Sequence, residues 1–174
     1  ELAPGAQYQV PVQLTVPWET PPNVINNQQL PNCFMGVRAE LEVARSRDPQ
    51  DVDPIYVYAL PAHERLMQAF LELGFIFKDA DFENERLPGS PLPFFQEIEF
   101  ISSLQYSRHF NQVEVTFLMN RDSLDVLLEI DKRGFLSSTD QLSRFSVGLN
   151  EVDQFDWTTA LCKPIPSDIC SEPE

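Results

Sequence analysis

The chain has 174 residues, enough to bury a real core as one domain or two small ones. Its 27 acidic against 12 basic side chains give a formal charge of -15, which repels phosphate backbones and anionic lipid heads and argues against nucleic acid and membrane surfaces as partners. No apolar run approaches the roughly 20 residues that span a bilayer, and 43% hydrophobic residues with 13 Phe exclude a disordered chain.

Residues 7–18, QYQVPVQLTVPW, alternate with period two: Tyr8, Val10, Val12, Leu14 and Val16 point one way, Gln7, Gln9, Pro11, Gln13 and Thr15 the other. That predicts a strand with one buried face, and Pro11, lacking an N–H, places it at a sheet edge or a bulge. ETPPNVINNQQLPN reads as a loop. FMGVRAELEVA predicts a second half-buried strand, with Met35, Val37, Ala39, Leu41 and Val43 on one face. DPQDVDP, residues 48–54, reads as a turn-rich acidic link before a short strand, IYVYAL.

PAHERLMQAFLELGF predicts an amphipathic helix over 62–73, with Leu66, Met67, Phe70, Leu71 and Leu73 inward. Pro61 suits its first turn, and Gly74 is placed to end it in the left-handed region. Phe75 and Phe77 begin a strand, and ADFENERLPGSPLP reads as a loop. PFFQEIEFI, QVEVTFLM and LDVLLEID follow as strands, with RFSVGLNEV a further candidate. From residue 161 the chain reads as a polar tail, with Trp157 and Leu161 able to dock on the body. The expected division is 1–58, contributing strands to one sheet system, 59–160, a β-rich module with one helix, and 161–174, the tail. Two half-buried strands cannot bury their apolar faces alone, so strands upstream of residue 1 are expected to complete the first module.

Glu97 and Glu99 lie two apart on a predicted strand, which puts them on one face about 6.6–7 Å apart. That matches the carboxylate separation of inverting glycosidases, but every such pair on any strand matches it equally. If the last strands are neighbours, six carboxylates gather on one outer face: Glu97, Glu99, Glu114, Asp125, Glu129 and Asp131. The crowding is relieved if Arg108, Arg121, Lys132 or Arg133 lie across from them. A solvated outer sheet face is the expected role, with a binding surface for a basic partner as its functional extension and a glycan-active enzyme as the catalytic alternative.

Asp48, Asp51 and Asp53 are the candidate ligands for a hard cation such as calcium. Their spacing departs from the EF-hand pattern, and Pro49 and Pro54 bracket them, which favours turn-forming roles. Zinc is disfavoured by the lack of CxxC and HExxH, and no G-x-S-x-G elbow or glycine-rich phosphate loop is present. His63 and His109 are expected to be exposed or capping. Cys33, Cys162 and Cys170 read as reduced thiols of a cytosolic protein, although Cys162 and Cys170 are near enough in sequence to close a small loop. No cofactor is expected.

Taken in order, ELEVARSRDPQDVDPIYV, LMQAFLELGFIFKDADFE, LPFFQEIEF, VEVTF and LLEIDKRG resemble the sporulation-control family known as SpoOM, from about Gly5 to Val147. GAQYQVPVQLTVPWETP is similar to the late strand and proline-marked turn of an arrestin-type sandwich. The resemblance implies a mainly β, arrestin-like sandwich architecture with one short helix in the second module. On that reading, residues 1–58 are the last strands of the N-terminal sandwich. It also implies a non-enzymatic, cytoplasmic bacterial regulator that works by protein contacts, with no catalytic residues to transfer. An unpaired first strand would invite a homodimer through a sheet edge.

Overall fold

In the computed structural model, residues 5–40, 50–104, 106–107, 110–132 and 141–164 are described. The dominant element is a five-stranded antiparallel meander: β5 (Ile76–Glu83), β6 (Phe95–Ile101), β7 (Phe110–Met119), β8 (Ser123–Lys132) and β9 (Gln141–Gly148). Upstream lie two short ribbons, β1 (Val24–Ile25) with β2 (Gln28–Gln29) and β3 (Gly36–Glu40) with β4 (Gln50–Pro54). Helix α1 (Pro61–Glu72) precedes the meander and α2 (Trp157–Cys162) follows it.

Period-two alternation sorts the meander into two faces. Ile98 and Phe100, Val113 and Val115, then Leu124, Val126, Leu128 and Ile130 are all buried on one side. Helix α1 covers that side with Ala62, His63, Leu66, Met67, Ala69 and Phe70, and the Phe70 ring stacks on Phe100 at a centroid distance of 4.4 Å. Gly74 ends the helix at φ 82°, a left-handed conformation that a side chain would strain. The buried core takes in Ile25, Leu30 and Cys33 from the upstream segment. Polar ties hold that segment in place. Asn23 donates to the Ile55 carbonyl at 3.0 Å and accepts the Val57 N–H at 2.7 Å, while buried Gln96 donates to the Pro22 carbonyl at 2.8 Å.

Several expectations change. Residues 6–17 belong to no strand, and Val10, Val12, Leu14 and Val16 are more than half exposed; no neighbour among the described residues offers them a ladder. The β3–β4 ribbon forms, but all five residues of β3 are exposed, so it has no buried face. Residues 50–54 are strand rather than turn, paired with β3 through Asp51↔Ala39 and Asp53↔Val37. IYVYAL supplies a single bridge, Tyr58 to Val24, and β5 runs on through Asp81 and Glu83, which the loop reading had excluded.

Helix α2 runs through Cys162, past residue 161 where the polar tail was expected to begin. Asp156 caps it by accepting the Thr159 N–H at 2.9 Å, an interaction that holds its carboxyl below the usual range. Trp157 is buried and donates its indole N–H to the Val152 carbonyl at 3.0 Å. Cys33 is a free, buried thiol, whereas Cys162 is disulfide-bonded, which corrects the expectation of reduced thiols throughout. Cys170 lies outside the described residues.

Candidate functional site

The outer face of the meander carries the carboxylates. Register places Asp79, Glu99, Glu114 and Glu129 in one row across β5 to β8, and Asp81 and Glu97 in the next. Asp125 stands on the same face of β8. Five of the six expected residues therefore share the surface. Asp131 lies on β8, but its side chain is outside the described residues. Asp81 and Glu83 were missed because β5 was expected to stop short of them, and Asp79 because alternation from Phe75 and Phe77 puts it on the inner side, which the register irregularity after Phe77 reverses.

The neutralising cations differ from those expected. Arg108 and Arg133 fall outside the described residues, as does the Lys132 side chain, and Arg121 sits in the exposed turn between β7 and β8. Lys78, at a register irregularity in β5, pairs with Glu99 and donates to Gln112 at 3.1 Å. Arg144 on β9 reaches Asp125 at 2.6 Å. Burial pushes the Asp125 carboxyl up, but hydrogen bonds from Arg144 and Ser146 outweigh it and hold the group below its ordinary value.

Glu97 has no ion-pair partner among the described residues. It lines a groove of about 380 Å³ with Glu114, Glu129 and Arg144, walled by apolar Phe95 and Leu87. Burial, then the like charges of Glu114, Glu83, Glu129 and Asp81, push its carboxyl up to about 7. Glu114 is raised as well, by burial and by Glu129 and Glu99, against a hydrogen bond from Gln112. Burial, Glu99 and Asp79 raise Asp81. Glu97 and Glu99 thus share a face but not an environment: one looks into the groove, the other is neutralised by Lys78.

This asymmetry makes stability depend on pH in a fixed direction. The folded chain holds the Glu97 proton to about pH 7, whereas the unfolded chain releases it near the ordinary glutamate value of 4.5. The unstrained, protonated state is complete below the unfolded value, and stability is lost as pH rises through the folded one. A fully buried group with this shift would contribute about 3 kcal/mol; solvent screening of a half-buried carboxylate reduces that to about 1 kcal/mol. Glu97→Gln should leave Tm nearly unchanged at pH 4 and raise it by roughly 2–4 °C at pH 8. Equal effects at both pH values, by thermal unfolding, would contradict the assignment.

Of the metal candidates, Asp51 and Asp53 stand exposed on β4, and Asp48 is outside the described residues. Asp81, Glu83 and Glu97 bring one carboxylate oxygen each within 4.8 Å of one another. His109 is outside the described residues. His63 is not exposed: it is only 3% accessible, and burial holds its pKa down at about 4. The expected capping role does hold, since its Nδ1 accepts the Leu60 N–H at 3.2 Å. Its place was legible, because residues 63, 66, 67 and 70 fall on one helical stripe.

A family model described as "SpoOM protein" matches residues 1–134. The chain belongs to the SpoOM family. It is 32% identical over 133 residues to the sporulation-control protein spo0M of Bacillus subtilis (strain 168), a match covering 76% of this chain and 49% of that protein. It is also similar to the crystal structure of Spo0M, sporulation control protein, from Bacillus subtilis, at a TM-score of 0.65 and 28% identity, covering 81% of this chain and 59% of that one. The chain thus spans about half the length of the curated SpoOM relative. Its fold is the mainly β, arrestin-like architecture of that family. Among the described residues, no helix is long and apolar enough to cross a membrane.

Proposed function

We propose that this SpoOM chain is a non-enzymatic, cytoplasmic regulatory adaptor that docks a basic protein partner on the outer face of its five-stranded sheet. The observation that carries the reading is the charge deficit in the groove. Glu97, Glu114 and Glu129 line it, Arg144 is the one cationic side chain on its wall among the described residues, and Arg144 is already paired with Asp125. Desolvated like charges are costly to hold together, and a lysine or arginine brought by a partner relieves them. The apolar walls, Phe95 and Leu87 among them, supply the area that gives such a contact affinity.

Residues 1–58 are taken, on the same reading, as the last strands of an arrestin-type N-terminal sandwich, and 59–160 as the second module bearing the docking face. A catalytic role for the Glu97 and Glu99 pair is disfavoured because Lys78 neutralises Glu99 outside the groove, so these two carboxylates do not face one bond. The test is calorimetric titration of the chain with a lysine- and arginine-rich peptide at low and high salt. Binding that weakens as salt rises is expected; no heat at low salt, or a salt-independent signal, contradicts the reading.

A further inference from the structure

Lys78 stands at the flank of the acidic groove rather than on its wall. Its ammonium pairs with Glu99 and donates to Gln112 Oε1 at 3.1 Å, and Gln112 in turn donates through Nε2 to Glu114 Oε1 at 2.7 Å. Glu114 lines the groove, and Glu99 is its direct partner across β6 and β7. Side chains opposed in this way have Cβ atoms about 4.5–5.5 Å apart, so a cation seated on Glu99 also acts on Glu114. The hydrogen bond to Glu99, then, against burial, the charges of Glu99, Glu114 and Asp79, raise the Lys78 pKa. The chain thus already holds, at one end of its carboxylate row, the kind of ion that docking would bring.

The lysine is loosely held. Its side chain is 44% exposed, against 20% for Glu99, and exposed side chains change rotamer within picoseconds to nanoseconds. An ion pair of this exposure contributes little, so a competing cation can displace it. A cation arriving in the groove meets two effects of Lys78. The ammonium repels it, and the carboxylate of Glu99 is already taken. Both weaken docking. We propose that Lys78 is an internal competitor for this face: it occupies Glu99 in place of a partner's cation and sets the affinity of the groove below what its carboxylates alone would give.

This rests on the docking of a basic partner proposed above, and the test separates the two. The full 174-residue chain is titrated by calorimetry with a lysine- and arginine-rich peptide at pH 8 and low salt. Lys78→Met keeps the aliphatic stem, removes the charge and should tighten binding about fivefold, the size of one partly exposed ion pair. Lys78→Gln carries the same expectation should the methionine variant fail to fold. Lys78→Arg restores the pair and should bind as the parent does. Lys78→Met combined with Glu99→Gln should return the affinity to the parent value, because the freed carboxylate is gone as well. Arg65→Met removes a cation paired with Glu72 on α1, across the sheet from the groove, and should leave affinity within twofold. Binding by the parent chain that Lys78→Met leaves unchanged or weakens, or equal tightening in Arg65→Met, would overturn this inference alone. No heat with either the parent or Lys78→Met would overturn the docking reading and this inference with it.

Discussion

Replacing Phe100 by alanine is expected to destabilise the chain by about 4 kcal/mol and lower its Tm by roughly 8–16 °C in thermal unfolding followed by circular dichroism. Phe100 is fully buried near the end of β6, stacked on Phe70 of α1 and edge-on to Phe77 of β5 at 6.3 Å. Its ring therefore joins the helix to two strands. Truncation removes the apolar area and leaves a cavity that the rigid sheet cannot close. Leu104→Ala is the matched control: at 92% exposure it should change stability by no more than about 0.5 kcal/mol. A loss below about 1 kcal/mol for Phe100→Ala would mean that the helix does not pack on the sheet as described.

The second large effect concerns docking. The double substitution Glu97→Lys with Glu129→Lys should weaken binding of a basic peptide by about 3 kcal/mol, or roughly a hundredfold. Both positions line the groove, and reversal turns a site short of cations into one that repels them. The fold should tolerate the change, because lysine can extend its charged head to water over the Phe95 and Leu127 walls. Asp51→Lys with Asp53→Lys, on exposed β4 away from the meander, applies the same charge change elsewhere. If both pairs weaken binding equally, overall charge rather than the groove is responsible.

The parts of the fold that could be read from sequence are those whose local pattern has a partner. Strands β6, β7 and β8 alternate cleanly, and their register brings Glu99, Glu114 and Glu129 into line as expected. Helix α1 was legible from its stripe, its Pro61 start and its Gly74 end. The stretch QYQVPVQLTVPW alternates just as well yet joins no sheet among the described residues, because alternation specifies a face and cannot supply a neighbour. The opposite error occurred at DPQDVDP: proline and aspartate read as a turn, while pairing with β3 made residues 50–54 a strand. Helix α2 is too short for periodicity to reveal, and the signal for it was the Asp156 cap ahead of Trp157.

At the candidate site, the acidic face was legible from alternation, but its inequality was not. Lys78 neutralises Glu99 and Arg144 neutralises Asp125 through cross-strand proximity, and neither pairing follows from sequence spacing. The burial of Glu97 depends on the segment after β5, whose Glu85, Leu87 and Pro88 form one wall of the groove. That segment has no repeat of its own. Its position is a property of the tertiary structure.

The most direct test of the account is a carbon-detected NMR titration of the Glu97 side-chain carboxyl, with and without a lysine-rich peptide. A midpoint of about 7 in the free chain, falling toward the ordinary glutamate range when the peptide is bound, is the predicted result. A midpoint already in the ordinary range, or one that the peptide leaves unmoved, would contradict the claim that Glu97 has no cationic partner among the described residues and takes one from a bound protein.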